Sequence, residues 1–134
     1  MAFQVQPGVS MKYIAGGDIP KLGLAVQYDS VEGQVVVGTA DSVRFAGVIA
    51  AIGLGEKSGV KGDIVSVIND GVMEVIASGA VEYGDALALA ADGKFKSSPV
   101  DLTPTAAGAF QIVGRAQESA ADGETFNALI FVRK

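Results

Sequence analysis

Gly62-Asp63-Ile64-Val65-Ser66-Val67-Ile68-Asn69-Asp70-Gly71-Val72-Met73-Glu74-Val75-Ile76-Ala77-Ser78-Gly79 is the stretch on which the reading of this chain turns. Two runs rich in β-branched and apolar residues flank Asn69-Asp70-Gly71. Such residues pack well on a pleated surface, and Asp-Gly tolerates the positive φ angles of a tight turn, so the stretch predicts two strands joined as a hairpin. It is also the point where one pattern of glycines and apolar pairs ends and begins again. Gly8-Val9 is echoed by Gly71-Val72, Ile14-Ala15-Gly16-Gly17 by Ile76-Ala77-Ser78-Gly79, Gly23-Leu24-Ala25-Val26 by Gly84-Asp85-Ala86-Leu87, and Gly62-Asp63 by Gly123-Glu124. Ala46-Gly47-Val48-Ile49-Ala50 matches Val113-Gly114-Arg115-Ala116 at a longer offset, which places an insertion near Ser97 to Pro104 in the second copy. The expectation is a single β-domain over residues 8–134, built from pseudo-repeats 8–67 and 71–132.

Outward from this stretch, strand signals dominate. Phe3, Val5, Val9, Met11 and Tyr13 alternate with Gln4, Gln6, Ser10 and Lys12, interrupted by Pro7-Gly8. Pro7 cannot donate to a ladder and marks an edge or bend. Val35-Val36-Val37 and residues 43–52 are β-branched runs, Asp92-Gly93 repeats the hairpin signal between Leu87, Leu89 and Phe95, and Phe126 to Val132 reads as a final buried strand. The Ala-rich stretches 86–91 and 115–121 are too short for stable helix. About four strands per copy make roughly eight, enough to close a small barrel or stack a sandwich. The predicted class is all-β: a compact antiparallel β-barrel or β-tulip-like fold with little helix.

Composition excludes several functions. The chain has 134 residues without cysteine or histidine, which removes thiolate nucleophiles, disulfides, Cys-ligated metals and the side chain best suited to proton transfer near neutral pH. Ten Lys plus Arg against 15 Asp plus Glu give a net charge of −5, the wrong sign for gripping phosphate backbones, so direct nucleic-acid binding is not expected. The N-terminus lacks the basic start and apolar core of a signal peptide, and no segment approaches 18 uninterrupted apolar residues. The sequence predicts a soluble, unexported protein without membrane contact. Hydrophobic residues make up 49% and charged residues only 19%, which predicts apolar surface covered by association.

The motifs of chemistry are decoys. Gly53-Leu54-Gly55-Glu56-Lys57-Ser58 resembles a phosphate loop in composition, but Glu56 intervenes before Lys57 and puts negative charge where phosphate would sit. Gly59-Val60-Lys61-Gly62 has the bare spacing of an RNA-clamping loop within an acidic, strand-rich context. Asp63, Asp70, Glu74, Glu82 and Asp85 lie mostly beside turn glycines, where carboxylates stabilise the backbone locally. No catalytic residue, cofactor or metal is predicted.

Val5-Gln6-Pro7-Gly8, Leu22-Gly23-Leu24-Ala25-Val26, Phe45-Ala46-Gly47-Val48-Ile49, Gly62-Asp63-Ile64-Val65-Ser66-Val67 with Asp70-Gly71-Val72 behind it, Tyr83-Gly84-Asp85-Ala86-Leu87 and the closing run from Gly114 to Val132 together resemble the capsid cement, or head decoration, proteins of tailed bacteriophages. The resemblance covers nearly the whole chain. It implies a small β-structured protein, made in the host cytoplasm, that docks on the outer surface of the expanded head. It further implies a homotrimer at local three-fold positions that bridges major capsid protein subunits, with no catalytic residues to carry over.

Contact residues follow from the alternation and from the loops. An N-terminal arm over residues 1–7 would add an edge strand to a neighbouring sheet, with Phe3, Val5, Pro7, Val9 and Met11 at the contact. The loop Leu54 to Lys61, carrying Glu56, Lys57 and Lys61, and the insertion Ser97 to Thr105 are further candidates. Two other classes fit the same absences. An adhesive or carbohydrate-binding β-domain would want aromatic platforms, for which the chain offers three Tyr, six Phe and no Trp. A carrier or enzyme subunit would want a lysine at a hairpin tip, where Lys94 lacks the flanks of an attachment turn.

Overall fold

The structure is a computed structural model describing residues 9–42, 44–98 and 112–131, with Val9 described by its backbone only. Nine strands occur among these residues: β1 Val9–Ala15, β2 Ala25–Tyr28, β3 Gln34–Val37, β4 Phe45–Ile52, β5 Ile64–Ile76, β6 Ala86–Leu89, β7 Phe95–Ser97, β8 Gly114–Ala116 and β9 Thr125–Phe131. The fold is all-β. One single-turn 3₁₀ segment, Ala91–Gly93, is the helical content among the described residues.

Strands β1 to β5 close a five-stranded barrel in the order β1-β3-β2-β4-β5, with β5 returning to β1 through pairs from Ile14↔Ile64 to Met11↔Val67. The pairings are antiparallel except β1–β3, where Ile14↔Gln34 and Ala15↔Val35 run parallel. This departs from the purely antiparallel barrel expected. The chain reaches β3 from β1 through β2, two reversals that leave β3 pointing the same way as β1.

A second departure concerns Asn69-Asp70-Gly71. They form no hairpin; β5 runs through them for 13 residues. A hairpin would pair 64–68 with 72–76, whereas each half finds another partner. The first half lies between β1 and β4, and the second pairs with β9 from Asp70↔Phe131 to Ile76↔Thr125. The register shift between Val9 and Ser10 leaves Asn69 as the extra residue of β5, and Gly71, at φ 135 and paired with Ile130, follows it at the changeover. The Asp92-Gly93 signal does make a turn: both residues have positive φ, at 60 and 74, and Ala90 N–H donates to Lys94 O at 2.8 Å across the β6–β7 hairpin.

The second half, from the latter part of β5 onward, pairs in the same order as the first. β5 pairs with β9, β9 with β8, β8 with β6 and β6 with β7, and a parallel bridge Ala77↔Phe95 completes the ring. Ala15 N–H donates to Asp63 O and Gly62 N–H to Ala15 O; Ala77 N–H donates to Glu124 O and Gly123 N–H to Ala77 O. The Ile19–Gly59 pair of backbone bonds recurs as Val81–Ala120.

Two cores result. The interior of the first barrel holds Ala15, Ile19, Val26, Val35, Ala46, Ile49, Ile52, Val65 and Val67. The other core gathers Met73, Val75, Leu87, Leu89, Phe95, Phe126 and Ile130 of the second half together with Ala25, Phe45, Val48 and Ile68 of the first. Neighbouring residues therefore serve different cores: Ala25 and Val26, Phe45 and Ala46, Val48 and Ile49, Ile68 and Val67. Successive side chains point to opposite faces of a strand, so Ala25–Val26 of β2, Phe45–Ile49 of β4 and Val67–Ile68 of β5 form a wall buried on both sides. Phe45 meets Phe95 edge to face, with ring centroids 6.1 Å apart.

The β6–β7 turn also locks the halves. Gly93 N–H donates to Gly38 O at 3.0 Å and Asp41 N–H to Leu89 O at 3.0 Å. A Cβ on Gly93 would lie 2.9 Å from Ala25 O and 3.0 Å from both Leu24 Cβ and Val37 Cγ1. A Lys96–Asp41 ion pair at 2.7 Å lies beside this contact, half in water, where such pairs contribute little. In the first barrel, Tyr13 and Tyr28 meet edge to face at 6.1 Å. Burial, aided by the hydrogen bond to Tyr28 and its charge, pushes the Tyr13 hydroxyl up to about 12.

Two outcomes are expected. Gly93→Ala should destabilise the fold by about 2–4 kcal/mol in urea unfolding, because strain at positive φ adds to a clash with rigid backbone. Gly33→Ala, at φ 83 with open space around it, should cost about 1 kcal/mol; equal losses would remove the clash from the account. The second concerns alkali. The folded protein holds Tyr13 protonated beyond its ordinary value, so this contribution is intact below pH 10 and is lost as pH rises toward 12. Tyr13→Phe should flatten that segment of the pH–stability curve.

Candidate functional site

Several acidic side chains are spent on turns, whereas Asp70 and Glu74, expected beside turn glycines, stand within β5 because that strand runs on through Gly71. Asp63 Oδ2 accepts from Val60 N–H at 2.9 Å, Glu124 Oε1 from Ala121 N–H at 2.8 Å, and Asp85 Oδ2 from Glu82 N–H at 3.0 Å and Ser97 Oγ–H at 2.9 Å. Each carboxylate satisfies the amide three residues earlier and fixes a loop. Among the described residues no group of three or more acidic, His or Cys side chains is placed to hold a metal, and no helix is long and apolar enough to cross a membrane. The surface features that remain are apolar or basic, and they lie at two places.

The first is the open end of the first barrel. Met11 and Tyr13 share one face of β1, and Tyr28 shares a face of β2 with Val26, so all three point toward the barrel interior at the end where β1 begins. Yet Met11 is 45% exposed and Tyr28 38%, and Val31 in the adjoining β2–β3 turn is 52% exposed. Arg44 borders them, donating from Nη2 to Asp29 O at 3.2 Å, while Tyr28 N–H donates to Arg44 O.

The second is the opposite end, about 20 Å away along β1 at the usual rise per residue. There the β4–β5 loop is tied down by reciprocal backbone bonds between Ile19 and Gly59, both 2.9 Å. A cleft of about 540 Å³ opens between this loop and the second half, with Lys21, Leu22, Lys57, Glu74, Ile76 and Thr125 among its lining. Leu54, fully exposed, tops the tight turn from Ile52 to Glu56, whose strand bridge and 2.9 Å bond hold Glu56 against Gly53.

The residues read from sequence therefore divide. Phe3, Val5 and Pro7 lie outside the described residues, as does the insertion beyond Ser98, and Val9 is placed only as the start of β1. Met11 stands at the open end. Glu56, Lys57 and Lys61 are exposed on the far loop, and of these Lys57 lines the cleft. The arm-side and loop-side residues thus belong to two separate surfaces. The sequence reading missed Tyr13, Tyr28 and Val31 at the first and Lys21 and Glu74 at the second. Alternation along β1 and β2 would group Met11, Tyr13 and Tyr28 on an inward face, but nothing in it says that this end lacks a cover.

Comparisons with known proteins agree on the class. The family model described as structural cement protein (E217 gp24/Pam3 gp6) matches residues 4–130. A search of curated proteins finds no match. Among solved structures, the chain is similar to the head fiber gp8.5 N base of bacteriophage phi29, at 20% identity, with a TM-score of 0.62, over 100% of this chain and 98% of that one. That likeness bears on the fold. The family match spans nearly the whole sequence, and by it the chain belongs to the phage structural cement protein family.

Proposed function

We propose that this cement protein binds the outer surface of the expanded phage head and stabilises it by bridging major capsid protein subunits. Membership in a structural cement family places the chain among capsid-decorating, stabilising proteins, and the match over residues 4–130 is the observation that carries the reading. The site chemistry accords with it: Asp63, Asp85 and Glu124 are committed to turns, and the exposed ends and loops present apolar side chains and lysines suited to contact rather than bond-making. In this reading the protein has no catalytic role, and copies made in the host cytoplasm assemble on the lattice as a homotrimer.

The physical mechanism is linkage. A ligand that binds the assembled lattice and not its separated subunits stabilises the lattice by its binding free energy, and many copies multiply the effect. Residues 1–7 act as an arm, with Phe3, Val5 and Pro7 leading into Val9 and Met11, and add an edge strand to a neighbouring sheet. Glu56, Lys57 and Lys61 provide a second contact on the far loop. Residues 8–134 form one β-domain descended from a duplicated unit, 8–67 and 71–132; the recurring Ala15–Asp63 and Ala77–Glu124 bonding patterns support that descent.

Co-sedimentation with undecorated heads tests the reading. Saturable binding to expanded heads, none to unexpanded ones, and a copy number of three per local three-fold position are expected; no binding to either would overturn it. Deleting residues 2–7 should weaken binding about tenfold or more while the melting temperature stays within about 2 °C. Equal loss of binding and stability would remove the arm from the contact.

A further inference from the structure

The two halves differ at one corresponding place. Met11, Tyr13 and Tyr28 in the first half occupy the pairing positions held by Met73, Val75 and Leu89 in the second: Tyr28 pairs with Val35 as Leu89 pairs with Phe95, and Met11 and Tyr13 precede Ala15 as Met73 and Val75 precede Ala77. In the second half this end is closed. Met73 is 0% and Leu89 1% exposed; both lie in one core with Phe45, Val48 and Ile68 of the first half, and Phe45 meets Phe95, the cross-strand partner of Leu89, edge to face. In the first half the same end carries no such cover among the described residues.

We infer that the open end of the first barrel, formed by Met11, Tyr13, Tyr28 and Val31, receives an apolar, aromatic-bearing β-segment of the major capsid protein, in the manner in which Phe45 and its neighbours cover the second half. The inference rests on the capsid reading above and adds to it the surface and the chemistry of the contact. The nature of the occupant follows from the covered end, where a two-sided strand face led by one phenylalanine does the covering. The substitutions between halves fit a surface that is wet when free and buried when bound. Leu89 and Val75 correspond to tyrosines, whose hydroxyls tolerate water while the rings supply contact area, and the flexible Met11 adapts to an incoming shape. Arg44 at the rim supplies a planar donor for a partner's carbonyl or carboxylate.

A second copy stacked in the same way is disfavoured by charge. The position of Val48, paired with Ala25 and Ile68, is taken in the second half by Arg115, paired with Ala86 and Leu129. Arg115 is exposed and donates to Gly84 O at 2.8 Å. Head-to-tail stacking of copies would bury that guanidinium in an apolar end, at a large desolvation cost.

The test compares binding of the full chain to expanded, undecorated heads for the unmodified protein, the double variant Tyr28→Ser/Val31→Asp and the distant control Leu54→Asp. Melting temperatures of the free proteins are measured alongside. The double variant should bind about tenfold or more weakly at a temperature well below its melting point, with the control within about twofold; loss of the Tyr13 ring contact lowers the double variant's melting temperature by a few degrees, a shift too small to unfold it under the binding conditions. A photo-crosslinking phenylalanine analogue at position 28 should attach to the capsid protein on decorated heads. Attachment instead to residues 1–8 of this chain or to a second copy would overturn the inference, as would unchanged binding by the double variant. Failure of the unmodified protein to bind would overturn the capsid reading itself, a result separable from failure of the variant comparison.

Discussion

Everything in this molecule hangs on a wall where three strands are covered on both sides. β2, β4 and the first part of β5 present Val26, Ala46, Ile49 and Val67 to one core and Ala25, Phe45, Val48 and Ile68 to another. A sheet covered on one side alternates apolar with polar residues; a wall covered on both must be apolar at nearly every position, as β4 is from Phe45 to Ile49. Small residues at Ala25, Ala46 and Gly47 let the two cores approach across a single backbone layer, and the large side chains are staggered between them.

That shared wall makes the halves unequal despite their matching strand order. The first half covers the second, through Phe45 over the inner ends of β5 and β6 and through the β6–β7 turn seated at Gly38. The second half does not cover the first in return. A chain of like units stacked in one direction necessarily ends with an uncovered face, and natural repeat proteins dress such faces for solvent or for a partner. Arg115 dresses one end for water. Met11, Tyr28 and Val31 at the other end stay partly exposed, at 45%, 38% and 52%.

For a cement protein the division of labour is physically sensible. The load-carrying requirement is stiffness, and a ring closed by main-chain hydrogen bonds, with loops pinned by carboxylates such as Asp63 and Glu124, leaves few soft joints. Exposed apolar and basic side chains lie at the ends and loops, where they can change without disturbing either core.

The β class, the strand runs and the Asp92-Gly93 turn were legible in the sequence because they depend on local rules: β-branched enrichment, alternation, and a dipeptide that accepts positive φ. The turn roles of Asp63 and Asp85 were legible for the same reason, while Asp70 and Glu74 went astray with the hairpin and lie within β5. Asn69-Asp70-Gly71 carried an equally good local signal and misled, since whether a chain turns back or runs on depends on which strands stand beside it, and β1, β4 and β9 are supplied from elsewhere in the chain. The parallel β1–β3 pair and the two-sided wall are likewise products of topology. Residue by residue, Met11 and Met73, or Tyr28 and Leu89, look alike in an alternating strand. Only the tertiary structure decides that one of each pair is buried in the core that holds Phe45 and the other stays partly exposed, because burial is a property of what packs against a surface, and that partner is distant in sequence.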